Sequence, residues 1–427
     1  MILIYASSST KRLQYICKFI FAEVLGIAYS ITIDKDSFIN HTGAKITYCD
    51  HVIDESFHVQ QQQLLFEKDI REQPINCFEI NGYKAFYKTT AGDYPFDIFS
   101  ACFYLLSRYE EYLPHTKDIY NRYDHQNSLA FKEGFLQTPL VNIWLQDFLK
   151  KLMSVFPEMP FHLQEFNFKP TYDIDIAWSY KNKGLLRNIG GFISNPSMER
   201  LSVLAGLKKD PFNCYEYLNQ LHHENKLEPI YFFLVATSRS QYDKNISPYA
   251  NSMWQLIRFH AKKYDIGLHP SFKSNDNLVL LKKERKILET AARVAVTKSR
   301  QHYIKFTLPE TMEKLVEAGI ENDYSMGYGS INGFRASVAS SFYWYNLKKE
   351  IISRLRIHPF CFMDANSFYE QKQSAERSFQ ELKEYFEICK KVNGTLITIF
   401  HNNFLGSDKQ FDGWKEIYSQ FISQVPR

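Results

Sequence analysis

Residues 230–235 read Ile230-Tyr231-Phe232-Phe233-Leu234-Val235, six apolar residues with no charged or amide residue among them. A strand with one face in water alternates apolar and polar residues, so this run predicts a strand buried on both faces. Four further segments that predict short strands lie at 169–172, 265–268, 295–297 and 395–400. Predicted helices lie at 214–224, 248–263, 278–292, 309–318 and 374–392. This alternation predicts an α/β fold with a parallel sheet, either open or closed into a barrel.

The length of 427 residues exceeds what one hydrophobic core usually serves, which predicts two domains. The pattern up to about residue 160 differs from the rest, because a strand at its start is followed mainly by helices and short strand-like pieces. The clearest of these elements are a strand at 1–6 and helices at 9–25, 95–108 and 139–156. We therefore predict a smaller mixed α/β domain at 1–160 and a second domain at 161–427.

Charge and cysteine content exclude several classes of protein. The 51 basic and 47 acidic residues give a net charge of +4 without long runs, which argues against a nucleic-acid-binding protein. The seven cysteines are odd in number and form no C-x-x-C pair, which predicts reduced thiols. We find no secretory signal and no stretch near the ~18 apolar residues of a membrane-spanning helix. A cytoplasmic protein without a membrane span is expected, and its oligomeric state stays open.

Polar groups follow four of the predicted strands, where parallel sheets carry their functional residues. The four runs are Tyr172-Asp173-Ile174-Asp175, Gly267-Leu268-His269-Pro270-Ser271, Ser299-Arg300-Gln301-His302-Tyr303 and Phe400-His401-Asn402-Asn403. Two carboxylates, three histidines and an arginine thus follow strand ends. Because these ends meet at one edge of a sheet, we expect the side chains to form one site.

Each of these groups also has a structural interpretation. An Asp-x-Asp pair can cap a helix or lie in a surface loop, and His269 or His302 can be a hydrogen-bonded core histidine. Asp364, which follows the apolar run 359–363, is a candidate for orienting His401 on its strand-end position alone. Outside this set, Arg108 and the pair Glu110-Glu111 are interpreted as a solvated helix end.

Taken together, the order of these motifs over about residues 169–405 resembles the polysaccharide deacetylase superfamily. The catalytic domain of that family is a distorted (β/α)7 barrel, so the resemblance implies such a barrel here, preceded by the smaller mixed α/β domain. The chain is most similar to a bacterial subgroup with an additional N-terminal domain. Runs similar to those at 267–271, 299–303 and 333–336 recur in that subgroup, which extends the likeness over nearly the whole chain.

The resemblance also implies a role for each motif residue. In this reading Asp173 is the general base, Asp175 is a metal ligand and His269 is the first histidine ligand. Arg300 matches the arginine that holds the base, and His401 matches the general acid on the last strand.

Two positions depart from the pattern of the family. The second motif usually has another histidine four residues after the first, where this chain has Lys273. The third motif is usually proline-rich after its arginine, where this chain reads Gln301-His302-Tyr303. Our hypothesis is that His302 replaces the missing ligand and completes an Asp-His-His set. Such a set with an open position suits Zn²⁺ or another divalent ion.

The expected function is metal-dependent hydrolysis of an N-acetyl group on a sugar or surface-polysaccharide precursor. A cytoplasmic enzyme would meet nucleotide-linked, lipid-linked or free sugars rather than finished polymer. Two alternatives stay open. Lys273 also suits a deacetylase-like barrel that has lost catalysis and serves as a carbohydrate-binding or scaffold protein, and the fold could hydrolyse a different amide.

Overall fold

A computed structural model describes residues 1–53 and 55–425. The chain divides into two compact units. The first unit comprises Met1–Asn167, Gly333–Pro359 and Glu387–Thr395. The second unit comprises Phe168–Asn332, Phe360–Phe386 and Leu396–Arg427. The boundary at 160/161 stays a prediction, and two later segments belong with the N-terminal residues.

The elements of the chain, in order, are as follows. Strands β1 to β6 are Ile2–Ala6, Tyr29–Thr32, Lys45–Cys49, Phe57–Gln60, Phe78–Ile80 and Tyr83–Ala85. Strands β7 to β11 are Asn167–Ile174, Ile230–Leu234, Asp265–His269, Lys298–Ser299 and Asn322–Asp323. Strands β12 to β15 are Phe342–Asn346, Ile351–Ile357, Phe362–Met363 and Thr395–His401.

The α-helices are fewer and mostly longer. Helices α1 to α5 are Lys11–Cys17, Lys35–Ile39, Ile98–Leu106, Leu129–Lys132 and Leu140–Val155. Helices α6 to α11 are Leu185–Ser194, Met198–Leu204, Tyr215–Asn225, Asn251–Ala261, Leu278–Ala292 and Glu310–Glu317. The last two, α12 and α13, are Ala375–Lys391 and Trp414–Gln424.

The first unit contains a parallel four-stranded sheet in the order β2-β1-β3-β4. The antiparallel hairpin β12–β13 belongs to the same unit although it lies far away in the sequence. Two contacts explain this: the Tyr15 hydroxyl donates to the Tyr343 carbonyl at 2.8 Å, and Arg12 pairs with Glu350. A single sequence does not reveal such pairings, which join residues more than 300 positions apart.

The predicted solvated helix end in this unit is wrong. Arg108, Glu110 and Glu111 are all buried. The Glu111 carboxylate accepts hydrogen bonds from both Arg108 and Arg335, so one nearby and one distant cation neutralise it inside the core. The error arose because Arg335 is 224 residues away from Glu111 in the sequence.

The second unit is built on seven strands in the order β11-β10-β9-β8-β7-β15-β14. The pairs β7–β8, β8–β9, β9–β10, β10–β11 and β14–β15 are parallel. All five residues of β8 are buried, as the unbroken apolar run predicted. The prediction of an α/β fold with a parallel sheet is therefore confirmed. Within the described part of the chain, no helix is long and apolar enough to cross a bilayer.

Candidate functional site

An ion pair fixes Asp173, which lies near the end of β7 with its side chain buried. Arg300 Nη1 lies 2.8 Å from Asp173 Oδ1 and also donates to Thr171 Oγ1 at 2.7 Å. The guanidinium is held from its other side, because Arg300 Nε donates to the Tyr324 carbonyl at 3.0 Å. Asp173 therefore has one oxygen held by a cation, and its Oδ2 lies 3.8 Å from His269 Nε2.

Three potential metal ligands converge just beyond this pair. Asp175 Oδ1 lies 3.1 Å from His269 Nε2, and Asp175 Oδ2 lies 3.3 Å from His302 Nε2. One ligand atom of each residue lies within 4.8 Å of the others. The two histidines are buried, whereas the Asp175 side chain keeps 26% of its surface exposed. The group is thus open toward solvent on the side of Asp175.

Both histidines are oriented through their other ring nitrogen. His269 Nδ1 lies 2.5 Å from the Arg300 carbonyl, and His302 Nδ1 lies 3.0 Å from Asp243 Oδ1. Hydrogen bonds of this kind set the tautomer and ring orientation of metal-ligating histidines. They direct the two Nε2 atoms toward the same carboxylate.

The chemistry of these groups fits a divalent cation. Asp175 Oδ1 is buried and has no hydrogen-bond partner, an unusual state for a carboxylate oxygen. Burial by itself would raise the pKa of Asp175, but the adjacent His302 and His269 outweigh it and hold that pKa well below its usual range. Burial opposes the charge of His302 too, yet Asp175 and Asp243 raise its pKa to about 9. A divalent ion can displace the protons from the ring nitrogens that face Asp175 and take their place beside the carboxylate.

His401, at the end of β15, completes the cluster. Its Nε2 lies 3.5 Å from Asp175 Oδ2, and its Nδ1 lies 2.6 Å from Asp364 Oδ1. Asp364 also accepts from the backbone N–H of His401 at 2.6 Å, which fixes the residue twice. Burial alone would lower the pKa of His401, but Asp364, followed by Asp175 and Asp173, raises it to about 10.

All six residues singled out in the sequence meet at this place. The ion pair joins Asp173 to Arg300, and the other four form the group of Asp175, His269, His302 and His401. Asp173 is neither a helix cap nor a surface residue, since it is buried in a strand. Lys273 is exposed and does not belong to the group of potential ligands. The structure shows that these residues lie close together, and their catalytic and metal-binding roles stay predictions.

The sequence analysis missed Asp243. This buried aspartate lies in the loop after β8 and accepts hydrogen bonds from Phe272 N and Ser240 Oγ besides contacting His302. Asp243 lies nine residues beyond Leu234, the last residue of β8, and its contact with His302 joins two loops, so the strand-end rule does not include it.

Three aromatic rings beside the site were missed as well. Tyr242 stacks on Phe272 with ring centroids 3.9 Å apart, and Tyr303 packs edge-on against both. All three are partly exposed, and two of them adjoin Asp243 and His302 in the sequence. Their signal, one aromatic residue in each loop, is too common to be recognised without the structure.

Part of the chain matches a family model, and the chain is similar to several solved structures. Residues 2–157 match the model of a family of unknown function (DUF7033). No curated protein matches the chain. Among solved structures, the chain is similar to a protein named as a polysaccharide deacetylase from Mycobacterium smegmatis, with 14% identity and a TM-score of 0.41. That match covers 61% of this chain and 84% of the other.

Two further solved structures bear on the same point. One is a probable polysaccharide deacetylase from Pseudomonas aeruginosa PAO1, with 12% identity, 60% and 84% coverage and a TM-score of 0.39. The other is BA3943, a CE4 family pseudoenzyme from Bacillus anthracis, with 8% identity, 62% and 64% coverage and a TM-score of 0.33. Likenesses at these identities and TM-scores do not assign an activity to the chain.

Proposed function

We propose that the second unit is a metal-dependent hydrolase that removes an acetyl group from the nitrogen of a sugar. The observation that carries the proposal is the group of Asp175, His269 and His302 beside the fixed carboxylate of Asp173. Metal-assisted hydrolysis of an amide needs such a ligand set with an open side and a base next to it.

The proposed scaffold is a distorted (β/α)7 barrel at 161–427, preceded by the mixed α/β domain at 1–160. Numbered along the chain, the seven strands of the second unit lie in the order 5-4-3-2-1-7-6. This order supports a barrel, because successive strands are neighbours and the first strand lies beside the last. The distortion would then lie between strands 5 and 6, β11 and β14.

Asp175, His269 and His302 would hold the cation, and their one carboxylate and two imidazoles suit Zn²⁺. When bound, such an ion lowers the pKa of water and polarises an acetyl carbonyl. The side chain of Lys273 takes no part, since His302 from the neighbouring strand end supplies the second imidazole.

Asp173 would accept the proton of the attacking water. Its Oδ1 is held by Arg300 at 2.8 Å, so its Oδ2, which lies toward His269, is the oxygen available for proton transfer. Arg300 acts as a positioning residue, because it contacts the base and not the reacting atoms. A general base held in this way typically contributes about 10²–10⁴ in rate.

His401 would donate a proton to the leaving amine. An amide nitrogen leaves slowly unless it is protonated, and the raised pKa of His401, about 10, keeps this imidazole charged at neutral pH. Asp364 positions it from behind through Nδ1, which leaves Nε2 directed at the site.

The substrate class follows from the surroundings of these groups. The partly exposed rings of Tyr242, Phe272 and Tyr303 offer apolar surface on which the C–H faces of a sugar can stack. All seven cysteines are free, which favours a reducing compartment and hence a cytoplasmic location. We therefore propose an N-acetylated precursor sugar, nucleotide-linked, lipid-linked or free, as the substrate.

Acetate release tests the proposed function. The Zn²⁺-loaded full-length protein should release acetate from N-acetylated sugars, and Asp173→Asn should reduce the rate by about 10²–10⁴. Glu317→Gln serves as the control, because Glu317 pairs with the exposed Lys282 at the surface of the same unit. A loaded parent protein without hydrolysis of any N-acetylated sugar, or an unchanged rate in Asp173→Asn, would contradict the proposal.

A second candidate function is binding of a carbohydrate without catalysis. The observation that favours it is Lys273, which stands where the resembling family usually has a histidine ligand. Calorimetric titration of the same sugars distinguishes the two candidates. Saturable binding without acetate release in the metal-loaded protein would favour this second function.

A further inference from the structure

Helices α6 and α7 of the second unit expose most of their large apolar side chains. Of the 22 exposed large apolar side chains among the described residues, eight lie within residues 185–207. These eight, called here the α6–α7 face, are Leu185, Leu186, Ile189, Ile193, Met198, Leu201, Leu204 and Leu207. Single exposed apolar residues are ordinary, but a contiguous group of this kind marks a binding surface.

The arrangement is the reverse of that in a helix packed on its own core. On α6 the exposed stripe runs through Leu185, Ile189 and Ile193 at a spacing of four, while the one buried residue is the polar Asn188. Arg200 of α7 packs against Gly191 and donates to the Asn188 carbonyl at 3.1 Å. The two helices thus contact each other through polar groups, and no described residue covers the apolar stripe.

Positive charge is concentrated in the same segment. Residues 181–210 contain six basic residues against two acidic residues, a net charge of +4, which equals the net charge of the whole chain. The six are Lys181, Lys183, Arg187, Arg200, Lys208 and Lys209, and of these Lys209 pairs with Glu216 at 2.7 Å. An apolar face with a basic margin is the pattern of helices that lie in the interface of an anionic bilayer.

The crowding of these cations is visible at Lys183. Burial, followed by the nearby Arg187, lowers the pKa of Lys183 to about 8, with Arg200 and Arg239 adding to the effect and Asp210 opposing it. Anions brought close to this cluster would relieve the repulsion. A basic cluster of this density therefore complements a negatively charged surface.

From these observations we infer that the α6–α7 face docks the protein on an anionic membrane surface, with the eight apolar side chains entering the headgroup region. No helix needs to span the bilayer for this, because interfacial helices bury only one side. The attraction combines apolar burial with charge, at about a fivefold gain in affinity for each lysine or arginine near the surface.

Short hydrogen-bonded links connect this segment to the site. Asp210, at its C-terminal end, accepts from the backbone N–H groups of Ser179, Tyr180 and Lys181, which follow closely after Asp175. Arg187 on α6 donates to the carbonyl of Asn245, two residues after Asp243. Docking would therefore hold the site at the membrane surface, and a lipid-linked sugar would be the substrate class so reached. This last step rests on the proposed function.

Vesicle flotation of the full-length protein tests the docking. We expect binding to phosphatidylcholine vesicles that contain phosphatidylglycerol, weaker binding to pure phosphatidylcholine, and loss of the difference at high salt. The double variant Leu186→Ser/Leu207→Ser should bind at least about tenfold more weakly, because two apolar side chains no longer enter the interface. Lys208→Ala/Lys209→Ala should weaken binding to the anionic vesicles only.

A matched control is the double variant Ile119→Ser/Val279→Ser, which changes two equally exposed apolar side chains elsewhere in the chain. Unchanged vesicle binding in this control supports the inference. Absence of binding to the anionic vesicles, or an equal loss in the control, overturns it. The inference is also overturned if the protein self-associates, does not bind vesicles, and becomes monomeric in the variant Leu186→Ser/Leu207→Ser. That result would mean that the α6–α7 face binds a second copy of the chain. The assay requires no catalysis, so its outcome is independent of the acetate-release test.

Discussion

Each unit contains a buried cluster of charged side chains, and the two clusters differ in whether the oxygens of the central carboxylate all have hydrogen-bond partners. In the first unit, Glu111 Oε1 accepts from Arg108 Nε at 2.7 Å and from Arg335 Nε at 2.8 Å, and Oε2 accepts from Arg335 Nη2 at 2.6 Å. In the second unit, Asp175 Oδ1 is buried without a hydrogen-bond partner and lies 3.1 Å from His269 Nε2, whereas Oδ2 faces His302 and His401.

The pKa values of both carboxylates are lowered against the effect of burial, so the shift itself does not distinguish them. Burial opposes the charge of Glu111, but Arg335 and Arg108 bring its pKa to about 2, and two histidines act similarly on Asp175. The arginines around Glu111 stay charged and already occupy its carboxylate oxygens. A metal ion can displace the protons of the imidazoles around Asp175. Unused ligand capacity, rather than buried charge, therefore indicates chemistry.

The largest expected effect is on catalysis at the open cluster. Replacing His401 with Gln removes the proposed proton donor and should reduce the rate of acetate release by about 10²–10⁴. The urea midpoint should stay close to that of the parent, because the amide of Gln can still donate to Asp364. Steady-state kinetics and urea titration check the two parts. If the variant releases acetate at a rate within about threefold of the parent rate, His401 is not the proton donor.

At the closed cluster the expected effect is on stability. Glu111→Gln removes the buried carboxylate that Arg335 and Arg108 share, although Arg108 keeps its ion pair with Glu110, and should lower the free energy of unfolding by about 3–5 kcal/mol. The control is Glu79→Gln in the same unit, where Glu79 is 77% exposed beside Lys84 and the loss should stay below about 1 kcal/mol. Urea unfolding measures both. Equal losses would mean that the Glu111 cluster does not stabilise the fold as described.

A smaller effect is expected at Asp243, which contacts the proposed metal ligand His302. Asp243→Asn should weaken binding of Zn²⁺ by about 10–100-fold, because Asp243 orients His302 through Nδ1. Competition with a chromophoric chelator measures the affinity, with Glu317→Gln as the control. If both variants bind the metal like the parent, His302 is not oriented by Asp243 in the loaded protein.

The last expected effect is the dependence of metal affinity on pH. His302 has a pKa near 9 in the metal-free protein, above its ordinary 6.5, so a metal must displace its proton below pH 9. Apparent affinity should therefore rise by about tenfold per pH unit between pH 6.5 and 9 and then level off. The raised pKa also stabilises the metal-free fold fully below pH 6.5, and this stability is lost as the pH rises through about 9.

Chelator competition at several pH values, with urea titration of the metal-free protein, checks both trends. The Glu111 cluster should show no such trend over this range, because its pKa near 2 lies far below it. An apparent affinity for Zn²⁺ that does not change between pH 6.5 and 9 would contradict protonation of His302.

The elements of the second unit were largely predictable from apolar periodicity. The predicted helix 278–292 coincides with α10, and the predicted strand 230–235 differs from β8 by one residue. The strand predicted at 295–297 is shifted, since β10 is Lys298–Ser299. Its position is decided by pairing with β9 and β11, and such ladder bonds are invisible in a local pattern.

The site was predictable where chemistry coincides with a strand end, as for Asp173, Asp175, His269, His302 and His401. Hydrogen bonds between loops were not predictable, and Asp243 was missed for that reason. The prediction that Glu111 is solvated was wrong for a related reason, because Arg335, which neutralises it, is remote in the sequence. Likewise, the apolar spacing of α6 resembles that of a core helix, and only its surroundings reveal that it is exposed.

The most direct test of the central claim is elemental analysis of the purified full-length protein after incubation with Zn²⁺ and desalting. We expect near-stoichiometric metal in the parent and in Lys273→Ala, and its loss in both Asp175→Ala and His302→Ala, with circular dichroism confirming that each variant is folded. No metal in the parent, or full retention of metal in the folded His302→Ala variant, would contradict a ligand set of Asp175, His269 and His302.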